Sequence, residues 1–205
     1  MTSPLSPSPW ARFSARFDDV LLCAPVPGLA VQPPTDCADA GVLRRALQGL
    51  CPPGAPAAPG FATACHTLAV APAARAAQQA WLTQQLLALD GTLHMLQLGG
   101  AGRQRLHRLS IKLQELLRSG PAAAGLPWDC GWLNTGTAAQ AQAARFLPRR
   151  PTLVLAWQLP PATLAPLQAA LQRRSAAYAQ PVRLWVLNAP VDGAFAHSVA
   201  APQTL

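Results

Sequence analysis

Short apolar runs alternate along this chain with longer stretches in which apolar residues recur every three or four positions. The runs cover 67–72, 93–98, 152–157 and 182–187. A run of this length bounded by turn residues reads as a buried strand, whereas the 3.6-residue period reads as one face of a helix. Residues 73–89, 103–119 and 160–178 carry the helical signal. Strand and helix in alternation predict an α/β domain, with a mostly parallel, twisted sheet and helices on both faces.

The same pattern sets the boundaries. Residues 19–24 read as a further strand, and 38–50 as a helix with Val42, Leu43, Ala46, Leu47 and Leu50 on one face and Asp36 or Asp39 at its cap. Residues 51–60 hold four prolines and two glycines and read as a loop. Asp90-Gly91 is a turn signal. Leu106, Leu109, Leu113, Leu116 and Leu117 form the stripe of the 103–119 helix, which Ser119-Gly120-Pro121 ends. The segment 121–150 reads as an irregular insertion with one helix at 137–146. The expected organisation is a Pro/Ser-rich, disordered tail over 1–18, one domain over 19–192, and a flexible tail over 193–205.

Composition narrows the class. Hydrophobic residues make up 51% and charged residues 12%, enough apolar surface for a core and the opposite of a disordered chain. The net charge of +8 is almost all arginine, with Lys112 the single lysine. Such an excess points to an anionic partner, or to arginines that are simply solvated, since no dense basic block occurs. The N-terminus has neither the basic start nor the apolar centre of a signal peptide, and no run nears the ~20 apolar residues of a membrane span. The expectation is a soluble, cytoplasmic protein with no membrane partner. The five cysteines are odd in number and lack Cys-x-x-Cys spacing, so they read as small apolar residues or loop thiols.

Candidate chemistry is sparse. Gly99-Gly-Ala-Gly102 ahead of a helix resembles an anion-binding turn, and Arg103 adds charge. Arg105 nevertheless stands where the dinucleotide fingerprint needs glycine, and the phosphate-loop ending is missing. A plain strand-to-helix turn is the competing reading. His66, His94, His107 and His197 are scattered, no Gly-x-Ser-x-Gly elbow occurs, and no acidic pair follows a core strand. No metal, cofactor or catalytic group is assigned, and the expectation is a protein that is not an enzyme. Arg103, Arg105, Arg108 and Lys112 share the 103–119 helix and are candidates for contact with nucleic acid or another anion. Trp81 lies on a helix otherwise small or polar, where an indole either fills the core or anchors a partner.

Several segments follow one another as they do in a known family. Val42-Leu-Arg-Arg-Ala-Leu-Gln-Gly-Leu50 is a leucine-rich opening helix; Leu68-Ala-Val-Ala-Pro72 is an apolar run ending in Pro, and Gln79-Ala-Trp-Leu82 places Trp on the next helix. Leu93-His-Met-Leu-Gln-Leu98, Leu117-Arg-Ser-Gly120 and the Trp-ended run Leu153-Val-Leu-Ala-Trp157 come after. In this order the span from Val42 to about Val191 resembles the SulA family, SOS-induced inhibitors of bacterial cell division. Relative to that family, 121–150 is inserted, and Cys65 and Leu93 fall where the family carries basic residues. The resemblance implies a RecA-like three-layer core lacking a phosphate-binding loop. It implies a non-catalytic action in the DNA-damage response: binding the tubulin-like division protein FtsZ and blocking its polymerisation, and so septation. Trp81, Val70, Pro72 and Leu93 would form the partner-binding region. The related ImuA family, accessory to translesion synthesis, shares this core and implies the alternative, an accessory of damage tolerance that binds DNA or a repair polymerase subunit. A monomer and a homodimer both remain open.

Overall fold

A computed structural model describes residues 20–23, 40–52, 57–67, 72–91, 102–103, 105–106, 109–110, 113 and 127–188. Its elements in chain order are β1 (Leu22–Cys23), α1 (Ala40–Leu50), β2 (Gly60–Thr67), α2 (Pro72–Leu89), β3 (Asp129–Leu133), α3 (Thr137–Ala143), β4 (Thr152–Trp157), α4 (Pro161–Arg173) and β5 (Pro181–Asn188). The strands form one five-stranded sheet in the order β1-β3-β4-β5-β2. β2 through β5 run parallel, and β1 closes one edge antiparallel to β3. The expected α/β class with a mostly parallel sheet is what the chain adopts.

Side-chain alternation splits the core into two. Leu153 and Leu155 of β4 and Trp185 and Leu187 of β5 pack with Leu43 and Leu47 of α1 and Trp81, Leu82 and Leu86 of α2. Val154 and Ala156, with Val182, Leu184 and Val186, pack on the other face with Ala143 of α3 and Leu164, Leu167 and Leu171 of α4. Successive strand residues point to opposite faces, so a strand covered on both sides must be apolar throughout. Thr152–Ala156 are accordingly all buried. Each fully buried leucine contributes about 1.5–3 kcal/mol, which makes these two layers the main source of stability.

Three expectations need correction. The strand placed at 67–72 lies earlier, at Gly60–Thr67. Its residues are small and mixed, GFATACHT, because among the described strands it lies at the edge of the sheet and none of its residues is fully buried. Pro72 then opens α2, since a helix's first turn does not use the missing N–H; residues 68–71 lie outside the described residues. The segment 121–150 is not irregular outside its expected helix, which appears as α3: β3 also lies within it and is an internal strand of the sheet, while 121–126 lie outside the described residues. Asp129-Cys-Gly-Trp-Leu133 is short and interrupted by glycine, so its strand character comes from pairing with β4, Asp129 opposite Thr152 through Trp132 opposite Leu155. The helix expected to run to 178 stops at Arg173, after which Ser175–Ala177 form a single 3-10 turn. The strand placed at 93–98, most of the 103–119 helix and both tails lie outside the described residues.

Polar side chains lock the end of the sheet where the parallel strands begin. Arg150 pairs with Asp129, both buried. The Asp129 N–H donates to Pro151 O (2.7 Å), and the Thr152 hydroxyl donates to Arg150 O (2.9 Å). Arg183 donates to the carbonyls of Ala58 (2.6 Å) and Gly60 (3.0 Å), tying β5 to the start of β2. Gly60 has φ +92°, a conformation that glycine alone adopts freely, and a Cβ there would lie 3.2 Å from the Ser175 hydroxyl. That hydroxyl accepts the Phe61 N–H at 2.9 Å. Among the described residues, no helix is long and apolar enough to cross a membrane.

Candidate functional site

In an open α/β sheet, ligands bind outside the carboxyl ends of the strands where successive connections leave on opposite faces. Here α2 follows β2 on one face, while α3 and α4 follow β3 and β4 on the other. The carboxyl ends of β2, β4 and β5 carry His66, Thr67, Trp157 and Asn188. Gln158, the residue after β4, has φ 49° and donates its N–H to Leu187 O at 2.7 Å. A non-glycine residue in the left-handed region is uncommon and marks a locally constrained turn. Trp132 and Trp157, at the ends of adjacent strands, meet edge to face with centroids 6.3 Å apart and remain partly exposed.

His66 is the titratable group at this edge. Its Nδ1 accepts the Trp185 indole N–H at 2.9 Å, which leaves the proton of the neutral ring on Nε2. Burial lowers its pKa from the ordinary value, so the neutral form is favoured. Cys65 precedes it in sequence but points to the opposite face of β2 and is exposed, so the two do not form a thiolate–imidazole pair. Cys51 and Cys130 are buried free thiols. Desolvation raises Cys51 to about 12 and Cys130 well above its ordinary value, which keeps both protonated. Cys23 is exposed, and its S–H donates to Asn134 Oδ1 at 3.1 Å. Cys51 and Cys130 fit the sequence reading of buried small apolar residues, whereas Cys23 and Cys65 are exposed on strands β1 and β2 and so are neither buried fillers nor loop thiols. Among the described residues, no group of three or more His, Cys, Asp or Glu gathers to hold a metal ion.

The residues singled out from the sequence do not form one cluster. Trp81 is 3% exposed, packed with Leu82, Leu86 and the sheet, and so is not an available docking anchor. The physical reason is its helical phase: it lies one residue before Leu82, on the flank of the stripe that α2 buries. Pro72 starts α2, and Val70, Leu93, Arg108 and Lys112 lie outside the described residues, as do Gly99, Gly100 and Ala101. Gly102, Arg103, Arg105, Leu106, Leu109, Ser110 and Leu113 are helical and all exposed. The leucines are 69%, 66% and 55% exposed in chain order, against the usual burial of such a stripe. The sequence shows that these leucines share a face, but a period carries no information on whether that face turns inward. The arginines beside them were the available signal that it turns out. No family model, curated protein or solved structure matches this chain.

Proposed function

We propose that this protein is a SulA-like inhibitor of cell division, which binds the tubulin-like protein FtsZ in the cytoplasm and removes it from the polymerising pool. The supporting observation is the arrangement around β4. The Trp-ended run is a central strand, followed by a helix and a last strand paired beside it, in the order of the family that the sequence resembles. The RecA-like character of the three-layer core belongs to the same reading. Such an inhibitor acts without covalent chemistry. It binds subunits one to one and lowers their free concentration by mass action. The polar contacts of Arg150 with Asp129 and of Arg183 with backbone carbonyls serve the sheet.

The test is sedimentation of FtsZ polymers with increasing amounts of the full-length protein. Polymer should fall in proportion to the protein added, reaching its minimum near equimolar. Undiminished polymer at equimolar protein rejects the reading. A second reading, an ImuA-like accessory of DNA-damage tolerance, is favoured by one observation: Arg103 and Arg105 are both helical and both exposed. It predicts DNA binding that weakens steeply as salt rises. No mobility shift at low salt removes it.

A further inference from the structure

All six arginines between residues 127 and 188 lie toward the end of the sheet where the parallel strands begin. Two of them hold the fold, Arg150 through Asp129 and Arg183 through the carbonyls of Ala58 and Gly60. The other four sit at the ends of two packed helices. Arg145 and Arg149 belong to the loop from α3 to β4, and Arg173 and Arg174 end α4. Phe146 and Tyr178 bring these two places together, their rings meeting edge to face with centroids 6.2 Å apart in one buried cluster. Arg145, Arg149 and Arg173 are exposed, and Arg174 is half-buried near Tyr178. Of the described acidic residues, Asp129 is paired with Arg150, and Asp90 follows α2, which packs on the other face of the sheet. Leu147 stands between Arg145 and Arg149 and is 56% exposed. Its loop is held on both sides, by Phe146 in the core and by Arg150 on buried Asp129, and Pro148 restricts the backbone between them. The negative ends of α3 and α4 favour cations nearby, which accounts for Arg145, Arg173 and Arg174. That effect fades within the last turn, so it explains neither Arg149, which lies beyond Pro148, nor an apolar side chain held out in water beside it.

We infer that this arginine patch around Leu147 is the docking face of the protein, and that its partner is a protein surface with carboxylates around an apolar depression. A second copy of this chain would set arginine against arginine, a repulsive match. A nucleic-acid backbone would accept the arginines, but phosphate and sugar give Leu147 nothing apolar to touch. The rings of the patch, Phe146 and Tyr178, are buried and offer no platform for a base. A bilayer surface takes a broad apolar face, whereas Leu147 is the one large apolar side chain exposed among residues 127–188. An acidic protein surface satisfies both features at once. The leucine is desolvated at the centre, and the guanidinium groups form planar, two-pronged hydrogen bonds with carboxylates around it. The inference rests on the proposed function for the partner's identity, since it takes FtsZ as the protein that offers this surface. It places the docking face at the loops after α3 and α4 in place of Trp81.

The experiment measures binding of the full-length protein to purified, labelled FtsZ by fluorescence anisotropy at several salt concentrations. The wild type is compared with Arg145→Glu/Arg149→Glu, with Leu147→Ser, and with Arg44→Glu/Arg45→Glu, which makes the same change of net charge at exposed positions of α1 on the other face. All of these positions are exposed, and circular dichroism with urea midpoints checks that each variant is folded. Wild-type affinity should fall as salt rises. Arg145→Glu/Arg149→Glu should weaken binding about tenfold or more at low salt and flatten the salt dependence. Leu147→Ser should weaken it about fivefold at every salt concentration, and the α1 variant should stay within about threefold of the wild type. A loss in Arg145→Glu/Arg149→Glu no greater than in the α1 variant overturns the inference and leaves the proposed function standing. Failure of the wild type to bind FtsZ overturns both. Binding to labelled duplex DNA or to phosphatidylglycerol vesicles that Arg145→Glu/Arg149→Glu abolishes while FtsZ binding is unchanged would assign the patch to that partner and also overturn it.

Discussion

Asp129 and Arg150 offer the sharpest test of how this sheet is held. Their side chains are 9% and 7% exposed, so each has exchanged most of its water for the other. Removing one partner leaves the other charge buried, a change that costs about 3–5 kcal/mol, whereas replacing both with apolar residues of similar volume is often neutral. Against a total stability of about 5–15 kcal/mol, the single loss is a large fraction. Asp129→Leu and Arg150→Met should each lower the urea midpoint by roughly 1.5–2.5 M if the denaturant slope is about 2 kcal/mol/M. The double variant should recover at least half of that loss, giving a strongly non-additive cycle. The pair sits where β3 meets β4, beside the Asp129 N–H to Pro151 O bond, so the denaturant slope itself should stay constant. Single variants that lose less than about 1 kcal/mol, or losses that simply add, would refute the picture of two charges dependent on each other for solvation.

Three further outcomes are expected. Trp81→Ala should cost about 3–5 kcal/mol in urea denaturation, since the indole is core; a loss under 1 kcal/mol would return Trp81 to the surface. Because burial holds His66 below its ordinary pKa of 6.5, the unfolded chain binds the proton more tightly than the folded one. Its contribution to stability is therefore full above pH 6.5 and is lost as pH falls below it, with the Trp185 indole N–H losing its acceptor; urea midpoints at pH 7.5 and 5.5 should differ in that sense, and a difference unchanged by His66→Gln would contradict it. Under native conditions a thiol reagent should modify Cys23 and Cys65 rapidly and Cys51 and Cys130 only on unfolding, as read by peptide mass spectrometry; early labelling of Cys130 would be inconsistent with its burial.

How much of this was legible depended on burial. β4 and β5 were visible because both of their faces are covered, which demands unbroken apolar runs such as Leu153-Val-Leu-Ala156. α1 was visible through Leu43 and Leu47, and the Asp90-Gly91 turn appears as read, with Gly91 at φ +78°. β2 and β3 were hidden for opposite reasons. An edge strand tolerates small and polar residues, so Phe61-Ala-Thr-Ala-Cys65 carries little signal. β3 is internal, but its glycine and its brevity mask a role that only the neighbouring strands confer. Trp81 shows the same limit at the level of a site: an aromatic on a helix of small residues fits a core plug and a partner anchor equally well until the helix has a place to pack.

The order of strands also governs when the molecule can be completed. β5 is the last of the described strands in sequence, yet it lies between β4 and β2, and Arg183 reaches back 123 residues to Gly60. During synthesis the early strand must therefore wait for the neighbour it pairs with among the described strands until Pro181–Asn188 emerge. A nascent chain arrested before Pro181 would hold two unjoined pieces of β-structure with bare edges, open to self-association or to capture by a chaperone. The late arrival of β5 thus makes its synthesis the step that joins the two parts of this sheet.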